Sequence, residues 1–152
     1  MRFSTRTEYG IRILVRLGRV YGKGPVALSE LAEVEHLPLS YLEQIAGQLR
    51  RSGLVQSRMG AHGGYLLGRP PASVTMAEIV TSLEGSLAPV SCLAEGEAEC
   101  HSEGEECSAH SLWERLQDNI TATLQATTVA DLIKVNPGPQ VLVPSVTEVV
   151  TS

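Results

Sequence analysis

Residues 39–68 read LSYLEQIAGQLRRSGLVQSRMGAHGGYLLG, and a change of period within them decides the fold. Leu42, Ile45, Ala46 and Leu49 recur at the spacing of one helix face. Ser40-Tyr41-Leu42-Glu43 has the form of a capping box, Arg50 and Arg51 suit a last helical turn, and Gly53 supplies a stop. Beyond that glycine the pattern becomes extended. Leu54-Val55-Gln56-Ser57-Arg58 and Tyr65-Leu66-Leu67 read as two short strands around the glycine-rich tip Met59-Gly60-Ala61-His62-Gly63-Gly64.

Upstream of this stretch, Tyr9, Ile13, Leu17 and Val20 form an apolar stripe on a helix from about Ser4 to Tyr21, stopped by Gly22-Lys23-Gly24-Pro25. A second helix is predicted from Ser29 to about Glu35, and Leu37-Pro38-Leu39 is a turn, since a proline disfavours helix at the residue before it. Helix, helix, turn, helix and hairpin is the order of a winged helix-turn-helix. The predicted fold class is therefore mainly α with a small β-hairpin wing, followed by a long dimerisation helix.

Downstream, Arg69-Pro70-Pro71 is a linker, and Thr75-Met76-Ala77-Glu78 is a second capping box opening a helix through Ile79, Val80 and Leu83 to Gly85. Residues 89–110 are irregular and acidic and carry all three cysteines. A long helix is expected from Ser111, with Leu112, Trp113, Leu116, Ile120 and Leu124 as its stripe, and Thr128 caps a short last helix through Leu132. The tail from Asn136 is rich in Pro, Val, Thr and Ser and is expected to be flexible. The organisation this suggests is a DNA-binding module over residues 1–75, a cysteine loop with dimerisation helices over 76–133, and a tail over 134–152.

Composition agrees with this division. The chain has 152 residues, 43% of them hydrophobic and only 4% aromatic, so its core must be aliphatic. The net charge of −5 hides an asymmetry. Residues 1–75 hold ten Lys/Arg against five Glu, whereas residues 76–152 hold two Lys/Arg against twelve Asp/Glu. A basic half joined to an acidic one is a hint of a nucleic-acid-facing module with an appendage. No run of residues approaches the ~18 to 20 apolar positions of a membrane span. Met1-Arg2-Phe3-Ser4-Thr5-Arg6 has no apolar segment behind it to form a secretory signal. An odd number of crowded cysteines suits ligands in a reducing cytoplasm better than disulfides, so a cytoplasmic location is expected.

Two constellations carry chemistry. The first is a candidate reading head, because the recognition helix of a helix-turn-helix presents its amino-terminal residues to the major groove. Here these are Ser40, Tyr41, Glu43 and Gln44, among which Gln44 can pair with adenine and Glu43 can accept from cytosine. Capping is the simpler role for Ser40 and Glu43. Arg50, Arg58 and the backbone amides of Gly63 and Gly64 suit phosphates or a minor groove. The second constellation is Cys92, seven residues, Cys100, six residues, Cys107, two residues, His110. Three thiolates and an imidazole suit zinc or an iron–sulfur cluster, and the spacing alone does not separate the two.

The combination of motifs resembles the IscR-like iron–sulfur cluster regulators of the Rrf-type winged-helix transcription factor family. The resemblance is carried by Tyr9-Gly10, Leu39 to Gln44, Leu49 to Val55, Gly63 to Gly68, the cysteine loop, and Cys107-Ser108-Ala109-His110-Ser111-Leu112-Trp113. It covers about residues 1–133. It implies a homodimer that binds a roughly palindromic double-stranded operator. It also implies a 2Fe–2S cluster held by Cys92, Cys100, Cys107 and His110, with a 4Fe–4S cluster or zinc as the alternatives. Glu8 is the alternative fourth ligand, because some relatives use a carboxylate there from the partner subunit, and His101 is a further one. Two differences stand out: the cysteine spacings are longer than in most of the family, and Met59 stands where a wing arginine is expected, beside Arg58.

An enzyme is the weaker reading. The chain has no Gly-x-Ser-x-Gly, phosphate loop, His-Glu-x-x-His or Cys-x-x-Cys, and four ligands on one metal leave no open position for substrate. A zinc-stabilised DNA-binding regulator without cluster sensing is the other rival.

Overall fold

A computed structural model describes residues 2–94 and 107–135. Its elements, in chain order, are α1 (Thr5–Arg19), α2 (Leu28–Glu35), α3 (Leu39–Arg51), β1 (Val55–Arg58), β2 (Gly64–Leu67), α4 (Met76–Glu84), α5 (His110–Ala126) and α6 (Val129–Val135). Single 3₁₀ turns cover Pro71–Ser73 and Ser91–Leu93. This is the mainly helical winged helix-turn-helix that the sequence predicted.

The core is aliphatic and continuous from α1 to α6. Ile13, Leu14 and Leu17 of α1 pack with Leu31 of α2, with Leu42, Ile45 and Leu49 of α3, with Ile79 and Leu83 of α4, and with Val129 of α6. Burying a Leu or Ile side chain is favourable by about 1.5–3 kcal/mol, so this set supplies the main driving force for folding. Among the described residues the only charged side chain in the core is Glu35, which is fully buried. Arg16 and Arg12 of α1 pair with it, Arg12 at 2.7 Å, so α1 and α2 are joined by charge as well as by apolar contact.

The wing is a two-stranded antiparallel sheet in which Val55 pairs with Leu67 and Arg58 with Gly64. Its base is stitched to the loop before α2. Val26 and Tyr65 exchange two backbone hydrogen bonds of 2.8 Å each. A Cβ on Gly64 would lie 2.3 Å from the Val26 carbonyl oxygen, so only glycine lets the two chains approach this closely.

Several boundaries differ from expectation. The capping box expected at Ser40 does not form. Helix α3 begins at Leu39 with Pro38 as its cap and no side-chain capping bond. The extended backbone of Pro38 aims its carbonyl along the helix, and the N–H groups of Tyr41 and Leu42 donate to it at 3.1 Å. Ser40 therefore lies inside the first turn of the helix rather than at its cap. By contrast, Thr75 and Glu78 do form their capping box, and Thr128 exchanges hydrogen bonds with Asp131 at the head of α6. Helix α5 starts at His110, one residue ahead of the expected Ser111.

Candidate DNA-reading head and metal-ligand loop

The candidate reading head lies on one face of α3. Leu42, Ile45, Ala46 and Leu49 are buried, which turns Ser40, Glu43, Gln44 and Arg50 outward, where all four are exposed. Tyr41 is different. Its half-buried ring meets Tyr9 of α1 edge-on, with ring centres 6.4 Å apart, and the Arg12 guanidinium lies 5.3 Å from the centre of the Tyr9 ring. Arg12 also reaches Glu35, so the first turn of α3 is braced by a chain of contacts from α2 through α1. Tyr41 thereby fastens the first turn of α3 to α1 beside the exposed residues.

The wing residues divide in the same way. Arg58 is exposed at the end of β1. Gly63 donates its N–H to the Gly60 carbonyl at 3.0 Å, closing the tip, and Gly64 sits against Val26. Glu8, the alternative metal ligand, is exposed in the first turn of α1.

Sequence reasoning missed the links at the last turn of α4. Gln48 of α3 donates its side-chain amide to the Ser82 carbonyl at 2.7 Å, and the Ser82 hydroxyl donates to that of Ser52 at 2.9 Å. Glu84 accepts from the Ser4 backbone N–H and the Thr7 hydroxyl, each at 2.6 Å. Burial alone would push the Glu84 carboxyl up. The hydrogen bonds from Thr7 and Ser4, with Arg6 nearby, instead hold it below the ordinary carboxylate value. The end of α4 is thus fastened to both α1 and α3 immediately before the cysteine segment begins. No periodicity marks these polar residues, because each bonds to a residue far away in the chain.

On the ligand side, Cys92 is half-buried in the 3₁₀ turn Ser91–Leu93. Cys107 is also half-buried, with a free thiol. The His110 N–H donates to the Cys107 carbonyl at 3.0 Å, so Cys107 and His110 share one turn at the head of α5. The exposed His110 ring has its Nε2 3.2 Å from the Glu114 carboxylate one turn on. Cys100 and His101 lie outside the described residues, as does the 136–152 part of the tail. Among the described residues no three His, Cys, Asp or Glu side chains come together as a metal site. The donors that are described, two thiols and an imidazole, have the chemistry that iron–sulfur clusters and zinc accept.

Helix α5 buries no residue, and Leu112 and Leu116 are 50% and 38% exposed. No described helix is long and apolar enough to cross a membrane.

A family model described as Rrf2, iron-dependent transcriptional regulator, matches residues 3–135. The chain is 38% identical to the HTH-type transcriptional regulator CymR of Bacillus subtilis, over 92% of this chain and 95% of that one. It is 33% identical to the HTH-type transcriptional regulator IscR of Escherichia coli, over 88% of this chain and 80% of that one. Among solved structures, B. subtilis CymR, described as the global cysteine regulator, superposes with a TM-score of 0.77 at 35% identity, covering 90% of this chain and 98% of that one. The IscR of T. potens superposes with a TM-score of 0.72 at 32% identity, covering 89% and 88%.

Proposed function

Because the chain belongs to the Rrf2 family of DNA-binding transcriptional regulators, and is not an enzyme, we propose that it is a homodimeric regulator whose DNA affinity is set by an iron–sulfur cluster. Cys92, Cys100 and Cys107 with His110 hold a 2Fe–2S cluster in this reading, and α5 supplies the dimer interface through Leu112 and Leu116. The observation that carries it is the turn joining Cys107 to His110, which sets a thiol and an imidazole side by side in the chain at the head of an uncovered helix. When bound, the cluster supplies a centre that can change oxidation state or be lost.

The chain's own residues turn such a change into a change of DNA affinity. The loop begins directly after α4, whose last turn is bonded to the recognition helix through Gln48 and to the head of α1 through Glu84. If the loop has two states that bear differently on α4, the exposed face of Ser40, Glu43, Gln44 and Arg50 is offered to DNA in two poses. The affinity then changes by the difference between the DNA-binding free energies of those two states. Two such faces related by a two-fold axis require a roughly palindromic operator.

Protein purified without oxygen tests this. Brown protein with iron and sulfide, lost in Cys92→Ala, Cys100→Ala and Cys107→Ala, is expected. Colourless protein with one zinc per chain overturns it. Electron paramagnetic resonance of the reduced protein assigns the fourth ligand: His110→Ala is expected to change the spectrum and Glu8→Ala to leave it unchanged. Light scattering of Leu112→Asp is expected to show a monomer.

The likeness to CymR, described as a global cysteine regulator, favours a second reading in which DNA affinity answers to cysteine supply. Metal-free protein whose operator affinity shifts on adding cysteine supports it against the first.

A further inference from the structure

Met59 is 92% exposed, more than Phe3, Tyr21, Leu39, Leu112, Leu116 or Val135, the other exposed large hydrophobics among the described residues. It directly follows Arg58, the last residue of β1, and opens the tip Gly60-Ala61-His62-Gly63. The tip holds no other apolar side chain larger than a methyl group. Its shape is fixed from below. The Gly63 N–H is bonded to the Gly60 carbonyl, a Cβ on Gly63 would lie 2.2 Å from the Arg58 carbonyl oxygen, and the base of the hairpin is stitched to Val26. A held turn therefore presents a single uncovered thioether chain beside a cation, on the module that carries the reading head.

DNA supplies the matching cover. The minor groove is about 6 Å wide, which suits an unbranched side chain on a narrow tip of small residues. Apolar side chains, methionine among them, enter minor grooves as wedges that partly unstack one base step and kink the duplex. Arg58 beside Met59 is placed to meet the flanking phosphate. We propose that Met59 is such a wedge. Operator choice then depends on how readily one base step beneath the wing deforms, at a position that α3 never touches. The inference rests on the family's DNA binding and is independent of whether the chain carries a cluster.

The probe is a duplex that the wild-type chain selects from a random-sequence library, end-labelled so that energy transfer reports its bend and anisotropy its affinity. Met59→Ala lies outside the core and keeps the wild-type melting temperature. It is expected to bind the selected duplex about tenfold more weakly and to bend it less, whereas Met59→Leu stays within about twofold on both readouts. Scanning pyrimidine–purine steps to A-A steps across the duplex is expected to find one step whose stiffening weakens the wild type but not Met59→Ala. The salt dependence of Met59→Ala is unchanged, and that of Arg58→Ala is shallower. A Met59→Ala chain that bends the duplex as the wild type does overturns the wedge, whatever its affinity. A wild-type chain that selects no duplex overturns the DNA-binding premise itself.

Discussion

The side-chain amide of Gln48 donates to the backbone carbonyl of Ser82 at 2.7 Å, joining α3 to the last turn of the helix that leads into the cysteine segment. Ser82 lies near the carboxyl end of α4, where carbonyls have no partner within the helix, so the bond satisfies a group that would otherwise need water. The Gln48 side-chain oxygen in turn lies 3.4 Å from Arg6 of α1. One side chain therefore touches α1 and α4 from α3. Gln48→Ala is expected to lower stability by about 1 kcal/mol, the net worth of such a hydrogen bond, as read from urea unfolding midpoints. It is also expected to weaken operator binding, because the same bond holds α3 against α4. Wild-type values on both measurements would show that α3 keeps its pose without this bond.

Gly64→Ala is expected to loosen the wing. The added methyl would meet the Val26 carbonyl oxygen at 2.3 Å and the following Ala27 nitrogen at 2.9 Å, and these are backbone atoms that cannot rotate away. The stitch between Val26 and Tyr65 must then open. Overpacking of this kind costs about 1–3 kcal/mol. Hydrogen exchange at the Val26 and Tyr65 amides should quicken, while the amides of α1 keep their protection.

Glu35 and its two arginines predict an asymmetry between partners. The Arg12 side chain is 56% exposed and returns to water when its partner is removed, whereas that of Arg16 is 11% exposed and cannot. Glu35→Ala leaves Arg16 buried without its carboxylate, at a cost of about 3–5 kcal/mol. Arg12→Ala costs about 1 kcal/mol or less. Thermal melts of the two variants separate these outcomes, and equal losses would mean that the pair is no more than a surface contact.

Acid should unfold the protein through carboxyls whose folded pKa is depressed. For Glu78 and Glu84, burial pushes the carboxyl up, but hydrogen bonds outweigh it, from Thr75 and Arg69 in one case and from Thr7 and Ser4 in the other. The Thr128 backbone and side chain lower Asp131. A group with a lower pKa when folded binds fewer protons folded than unfolded. Its stabilisation is therefore complete above the unfolded value, about 4, and is lost as pH falls through the folded value. The melting temperature should be level above about pH 5 and fall below it, and Glu84→Gln should fall less steeply because it has one such group fewer.

On DNA, Gln44→Ala is expected to cost about 1–3 kcal/mol on the operator and less on random duplex, since base contacts specify. Arg50→Ala should weaken both and reduce the salt slope by about 1, as a phosphate contact does. Anisotropy titrations at several salt concentrations distinguish the two, and equal losses for Gln44→Ala on both duplexes would remove it from the reading head.

The order of elements and the buried faces follow from local patterns along the chain. The stripe of Leu42, Ile45 and Leu49 has the period of a helix, the residues around the glycine tip have that of strands, and such local patterns are legible because neighbours in the chain create them. The same pattern left Ser40, Glu43, Gln44 and Arg50 to face outward, and all four do. Ser40 does not cap α3 because the helix begins one residue earlier, at Leu39, and only the backbone path through Pro38 decides where the first turn lies. The contact of the Tyr41 ring with Tyr9 is not legible in the sequence, because Tyr9 lies 32 positions earlier in the chain and comes near only when α1 packs against α3. The same holds for Glu35 with Arg16, Gln48 with Ser82, and Glu84 with Thr7. A lone polar residue has no period, and its partner is chosen by the packing of helices around an aliphatic core. Residue types therefore marked what could meet DNA or a metal, and tertiary structure decided which polar groups hold that surface in place.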